Sequence, residues 1–204
     1  MKENKKHWET VYETKTPEQV SWTQAIPKTS LAFIADCKLD KSAKIIDVGG
    51  GDSNLVDHLL ALGFENITVL DISKGALERS KSRLGHNANK VHWIESDILD
   101  FSPTEPFDFW HDRAAFHFLT AQEGIARYIS VTKEWVSGYM AIGTFSDMGP
   151  KKCSGLAIKQ YSENDLTTIF DTGFEKIKCV NENHVTPFQT IQNFTFCCFK
   201  SIVI

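Results

Sequence analysis

No stretch of this 204-residue chain approaches the roughly 18 consecutive apolar residues of a membrane-spanning helix, and the polar opening run KENKK lacks the apolar segment of a secretory signal. A cytoplasmic protein with no membrane partner is expected. An excess of positive charge is also missing: 22 Lys and Arg stand against 26 Asp and Glu, a formal net charge of -4. Nucleic acid is therefore not expected as a partner, and KENKK reads as a short solvated tail. Cysteine is sparse and without a pairing pattern. The five residues, at 37, 153, 179, 197 and 198, are odd in number and contain no C-x-x-C, which points to buried reduced thiols rather than a disulfide framework or a metal site. The sequons at Asn66 and Asn193 are inert in a chain outside the secretory route. Internal repeats and low-complexity linkers are lacking as well, so a hydrophobic content of 42% over this length describes one domain, residues 1–204.

What is present is an alternation of strands and helices. Two helical pieces, 7–13 and 27–37, come first within a helical segment 1–40, the second with Pro27 suited to a first turn. An α/β core follows over 41–204. The strand AKIIDVG leads through a glycine loop into SNLVDHLLAL, whose Leu55, Leu59 and Leu62 share one stripe, and Gly63 stops that helix. NITVLD is a second strand, Ser73 caps a helix through Leu84, and KVHWIES is a third strand. PFDFWHD is a fourth, a helix with Ile125, Tyr128, Ile129, Thr132 and Val136 on one face follows, and GYMAIGTF is a fifth. This rhythm implies a doubly wound, mostly parallel sheet with both faces covered. The rhythm then breaks. Ser162 and Asp165 form a capping box, and FEKIKCVNENHV and TIQNFTFCCFK, joined only by TPFQ, must pair antiparallel.

The glycine loop IIDVGGGDSN lies between the first strand and the first helix of the core, where a ligand can approach backbone amides. Two cofactor classes compete for it. Both a dinucleotide and S-adenosylmethionine expect an acid at the end of strand two for a ribose hydroxyl, and Asp71 supplies it in either case. Charge separates them. Asp47 and Asp52 flank the glycines, repelling a pyrophosphate and attracting a sulfonium and an ammonium. The third glycine of G-x-G-x-x-G is also replaced by Asn54.

IIDVGGG, VLDIS and ESDILDF, in this order, resemble the successive motifs of class I S-adenosylmethionine-dependent methyltransferases, over about residues 43–145. The resemblance implies a Rossmann-like seven-stranded sheet in the order 3-2-1-4-5-7-6 with strand seven antiparallel, and S-adenosyl-L-methionine as cofactor. It implies further that Gly49 and Gly51 hold the methionine moiety. Asp71 would bind the ribose with Ile72 against the adenine, and Asp97 with Ile98 would bind the adenine amino group. Ser53 departs from the common G-x-G-x-G loop. The opening HWETVYETKTPEQVSW is similar to the start of thiopurine-type methyltransferases, which implies that Trp8, Tyr12 and Trp22 form a lid over the cofactor, where an aromatic face can hold a sulfonium.

Methyl transfer from a sulfonium needs exclusion of water, alignment and removal of a proton, and few residues are obligatory. The stretch FWHDRAAFHF ends strand four beside the strand-order switch between strands one and four, where ligands sit in open sheets. Alternation sends His111 and Arg113 to one side and Asp112 to the other. His111 is the expected general base, Arg113 a clamp for a carboxylate or phosphate, and Asp112 either a further catalytic group or the N-cap of the next helix. His117 reads as a core histidine. GTFSDMGPKKCSGL is an expected substrate loop, His184 is placed to face Cys153, and Cys197 and Cys198 are expected on opposite faces of their strand. The expected function is methyl transfer to a small-molecule nucleophile by in-line displacement. The alternatives are protein lysine methylation, against which the absence of an Asp-Lys-Gly-Thr-like strand four counts, and a dinucleotide-dependent oxidoreductase.

Overall fold

The computed structural model describes residues 2–202 of the chain. Seven strands form one sheet in the order β3-β2-β1-β4-β5-β9-β8. Its parallel part comprises β1 (Lys44–Val48), β2 (Asn66–Asp71), β3 (Val91–Glu95), β4 (Phe107–Arg113) and β5 (Val136–Phe145). These are linked by α3 (Leu55–Ala61), α4 (Lys74–Leu84) and α5 (Gln122–Trp135). After α6 (Glu163–Phe170) the chain closes with β8 (Phe174–Val185) and β9 (Ile191–Ser201), and β9 runs antiparallel to both β5 and β8. With β8 and β9 as strands six and seven, this is the expected order. The segment between β5 and α6 holds one unexpected element, a two-stranded ribbon of β6 (Lys152–Cys153) and β7 (Leu156–Ala157), each strand too short to give a periodic signal.

Alternation of side chains divides the core in two. Ile46, Val48, Trp110, Met140 and Ile142 pack on one face with α5 and α6; Ile45, Phe109 and Ala141 pack on the other with α2 (Lys28–Asp36) and α3. Helix ends follow their sequence signals. The Ser73 hydroxyl accepts from the Ala76 N–H, and Ser162 and Asp165 complete the capping box of α6. Pro27 sits at the N-cap of α2, one position before the first turn.

Two expectations are overturned. KENKK is not a tail, because α1 (Lys2–Thr14) begins at Lys2 and its basic residues form the opening turns of an amphipathic helix. Nor are all the cysteines reduced: the β8–β9 register sets Cys179 opposite Cys197, and the two form a disulfide. That partner is fixed by strand register, which cysteine count and spacing do not carry. Cys197 and Cys198 do face opposite ways, and the Cys198 Sγ lies 4.0 Å from the Cys37 Sγ at the end of α2.

Candidate functional site

The C-terminal ends of β1, β2 and β4 open on a cavity of about 260 Å³. Gly49, at φ +68°, turns the chain away from β1 while its N–H donates to the Leu70 carbonyl at 2.8 Å. A Cβ there would meet the Ala115 Cβ at 2.8 Å, and one on Gly51 would stand 2.5 Å from an Asp71 carboxylate oxygen. Glycine is therefore required at both positions. Gly49 lines the cavity; Gly51 lies behind it, against Asp71.

Asp71 is buried with its Oδ1 accepting from the Ser73 N–H at 2.8 Å. Burial pushes its carboxyl up to about 7, and the neighbouring Asp47 and Glu9 carboxylates push the same way against the amide donors of Ser73 and Gly51. Ile72, Asp97 and Ile98 continue the same wall, and Asp97 Oδ1 accepts from the Leu99 N–H at 3.0 Å. Asp52 also faces the cavity, but its carboxylate is held by Arg83 at 2.5 Å and Arg79 at 3.6 Å.

Asp47 and His111 are register partners on adjacent parallel strands, so their side chains lie together on one face. His111 Nδ1 is 2.7 Å from Asp47 Oδ1, and its Nε2 is 2.8 Å from the Ser30 hydroxyl on α2. The second Asp47 oxygen is buried with no protein partner. Two residues further on, Arg113 donates from Nη1 to the Trp22 carbonyl at 3.0 Å and lies over the Phe194 ring. Its Nε and Nη2 are shielded and unpartnered, and burial lowers its pKa to about 10.

Asp112 requires a correction as a catalytic candidate. Its side chain points through the sheet into the opposite core, where Oδ1 accepts from the Ala115 and Phe116 N–H groups and Oδ2 accepts from the Tyr128 hydroxyl at 2.7 Å. Burial raises it to about 6. It caps the turn after β4 and takes no part in the cavity wall. His117 is wholly buried; its Nδ1 accepts from the Phe145 N–H, and burial followed by the Arg113 charge lowers it to about 3. His184 engages the Ser21 carbonyl through Nε2 at 2.7 Å instead of Cys153, which lines the cavity. Among the described residues, no group of three or more His, Cys, Asp or Glu side chains is arranged to hold a metal ion.

Aromatic edges close the top. Trp8 meets Trp22 and Phe118 with ring centroids 5.6 and 5.1 Å apart, and Tyr12 lies 6.4 Å from both tryptophans. The roof is fastened by Glu9, whose carboxylate accepts from the N–H groups of Lys74 and Gly75 and from the Ser73 hydroxyl, capping α4 from another helix. Arg79 returns the tie to the Tyr12 and Lys15 carbonyls. Sequence reading had no signal for Glu9 or Ser30, because each acts across a tertiary contact.

A family model described as a methyltransferase domain matches residues 45–134. No curated protein matches the chain. Among solved structures, a protein described in work on conversion of a disulfide bond into a thioacetal group during echinomycin biosynthesis superposes with a TM-score of 0.74 at 18% identity, covering 97% of this chain and 92% of that one. The 1,6-didemethyltoxoflavin-N1-methyltransferase of Burkholderia thailandensis gives 0.73 at 13% identity, over 97% and 87%. The N-methyltransferase NodS of Bradyrhizobium japonicum, in complex with S-adenosyl-L-homocysteine, gives 0.64 at 16%, over 88% and 90%. At these identities the likeness is one of fold. No helix among the described residues is long and apolar enough to cross a membrane.

Proposed function

We propose, from the match of residues 45–134 to a methyltransferase domain, that this chain is a class I, S-adenosylmethionine-dependent enzyme that methylates a small-molecule nucleophile. The observation that carries the reading is Asp47 Oδ2, a buried carboxylate oxygen without a partner, in a cavity wall that also presents Asp71. Such a wall suits a cation. S-adenosyl-L-methionine fits it in kind: its ammonium would pair with Asp47, its ribose diol with Asp71, and its adenine would lie between Ile72 and Ile98 with Asp97 at the amino group. When bound, it supplies a methyl group already activated by the positive sulfur.

The chain's own part is to align and to keep dry. The reactants need a separation of about 3–3.5 Å and a nearly linear approach, which a closed pocket imposes. Trp8, Tyr12, Trp22 and Phe118 exclude water, and an aromatic face toward a sulfonium contributes about 0.5–2 kcal/mol. His111, paired with Asp47, draws the proton from the acceptor. Arg113 offers its two unpartnered nitrogens to an acceptor carboxylate or phosphate. A metabolite is favoured over a polypeptide because α1, tied down by Glu9 and Arg79, covers the cavity.

Calorimetric titration tests the cofactor assignment: S-adenosylmethionine and S-adenosylhomocysteine bind and nicotinamide dinucleotides do not. The reverse result overturns it. Incubation with methyl-labelled cofactor and either a metabolite or a protein extract tests the acceptor; label in protein alone refutes the small-molecule reading.

A further inference from the structure

We infer that Ser30 is a catalytic residue, the hydroxyl through which the acceptor's proton reaches His111. This rests on the methyl-transfer reading above. Both imidazole nitrogens of His111 are engaged, Nδ1 by Asp47 at 2.7 Å and Nε2 by Ser30 at 2.8 Å. Ser30, His111 and Asp47 are 1%, 3% and 2% exposed and all three line the cavity, so the row of hydrogen bonds is held dry at the cavity wall. A hydroxyl both donates and accepts. Ser30 can thus donate to Nε2 while its oxygen lone pairs receive a proton from a bound nucleophile.

The fold supports the arrangement from three sides. Register sets Asp47 beside His111, and the inner face of α2, built by Ser30, Phe33 and Ile34, presses the hydroxyl against Nε2. The charged groups near His111 are Asp47 from β1, Asp112 on the far face of β4 and Arg113 at the strand end. The Asp47 carboxylate stabilises the imidazolium that forms.

The step balances. As the acceptor's nucleophilic atom takes the methyl carbon, its N–H, O–H or S–H bond breaks and the proton passes to Ser30 Oγ. The original Ser30 proton moves to His111 Nε2, leaving a neutral hydroxyl and an imidazolium against Asp47. The electron pair of the breaking carbon–sulfur bond stays on sulfur. Later loss of the imidazolium proton to water restores the row.

The test uses the full chain, S30A and S30T, with methyl-labelled S-adenosylmethionine and whichever extract fraction the wild type labels. Ser30→Ala should lower turnover about 100-fold, within the range for general acid–base groups, and leave S-adenosylhomocysteine affinity within about twofold. Its residual rate should climb with pH without a plateau, because hydroxide takes over the proton. Ser30→Thr, which keeps the hydroxyl, should recover at least about one tenth of wild-type turnover. Nitrogen NMR of His111 with S-adenosylhomocysteine bound gives a readout free of turnover: the Nε2 shift should move in S30A and stay near wild type in S30T. Turnover of S30A within threefold of wild type, an unchanged pH profile, or an unmoved Nε2 shift overturns the relay. If the wild type labels no fraction, the methyl-transfer reading fails first and the relay with it.

Discussion

Cofactor binding should release a proton, and the group that loses it is Asp71. In the protein alone its carboxyl sits at about 7 against an ordinary 3.8, chiefly because it is buried. Three pH units correspond to an unfavourable charged form of about 4 kcal/mol. In the proposed complex ribose hydroxyls would donate to the ionised carboxylate, which would hold it ionised and make the affinity depend on pH. Binding should be near its maximum at pH 8 and about tenfold weaker at pH 6, falling about tenfold per unit below 7 until the carboxyl of the complex itself titrates. Calorimetry in buffers of different ionisation enthalpy measures the proton directly: close to one released per ligand at about pH 6, near none at about pH 8. S-adenosylhomocysteine should behave like S-adenosylmethionine, since the ribose is common to both. Stability follows with a definite sign. The folded-state pKa is raised, so the protonated carboxyl's contribution is complete below the unfolded value near 4 and is lost as pH rises through 7. Without cofactor the melting temperature of the wild type relative to D71N should be lower at pH 8 than at pH 5.5. Asp71→Asn should abolish proton release and weaken binding by about 100-fold, the worth of hydrogen bonds to a charged group. Proton release that persists in D71N, or is absent from the wild type at pH 6, refutes the reasoning.

The disulfide closes a sequence separation of 18 residues, and the chain-entropy relation gives it about 3 kcal/mol. The double variant Cys179→Ala, Cys197→Ala should lose that amount in urea denaturation, and peptide mapping without reductant should recover the linked pair; equal stability with and without dithiothreitol contradicts this. Tyr128→Phe removes the hydroxyl that serves both Asp112 and the Trp110 indole N–H. The cost should be about 1–3 kcal/mol in the same assay with cofactor affinity unchanged, and a loss of affinity would show that Asp112 reaches the site after all. Glu9→Ala strips the cap from α4 and loosens the roof, costing about 1 kcal/mol. Stopped-flow release of S-adenosylhomocysteine should accelerate, and an unaltered rate would place the fastening elsewhere.

The order of elements was legible because each strand is bounded by its own stop signals and each core helix carries a cap or an apolar stripe. Ser73, Ser162 with Asp165, and Gly63 act within four residues of where they stand, the range over which sequence patterns are informative. Asp47, Asp71, Asp97, His111 and Arg113 could be placed at one sheet edge because parallel strands share a direction. What stayed hidden acts across the chain: Glu9 caps a helix begun 65 residues later, Ser30 meets His111 from another helix, and Cys179 finds Cys197 through hairpin register. The triplet His111-Asp112-Arg113 divides as strand alternation expects, and of the two roles left open for Asp112 it takes the cap. Alternation gives the cavity its first and third members and gives the far core the second, where three donors offset the burial of a carboxylate.

The charges around the cavity also narrow what can enter it, by a different route from the one the sequence suggested. Asp52, counted there as a repelling group, is neutralised by Arg83 and Arg79 and contributes little net field. Asp47 is not neutralised in the same way, since its Oδ1 meets an imidazole and its Oδ2 meets nothing. Asp71 adds a second negative charge once ionised. A unit anion about 4 Å from one such carboxylate is opposed by about 4 kcal/mol at the effective dielectric of a protein site, roughly a thousandfold in affinity. A cation at the same place gains by a similar amount and relieves the cost of ionising Asp71. Exclusion of a pyrophosphate and recruitment of an ammonium are thus one electrostatic property of the site, and both rest on Asp47 leaving one oxygen free.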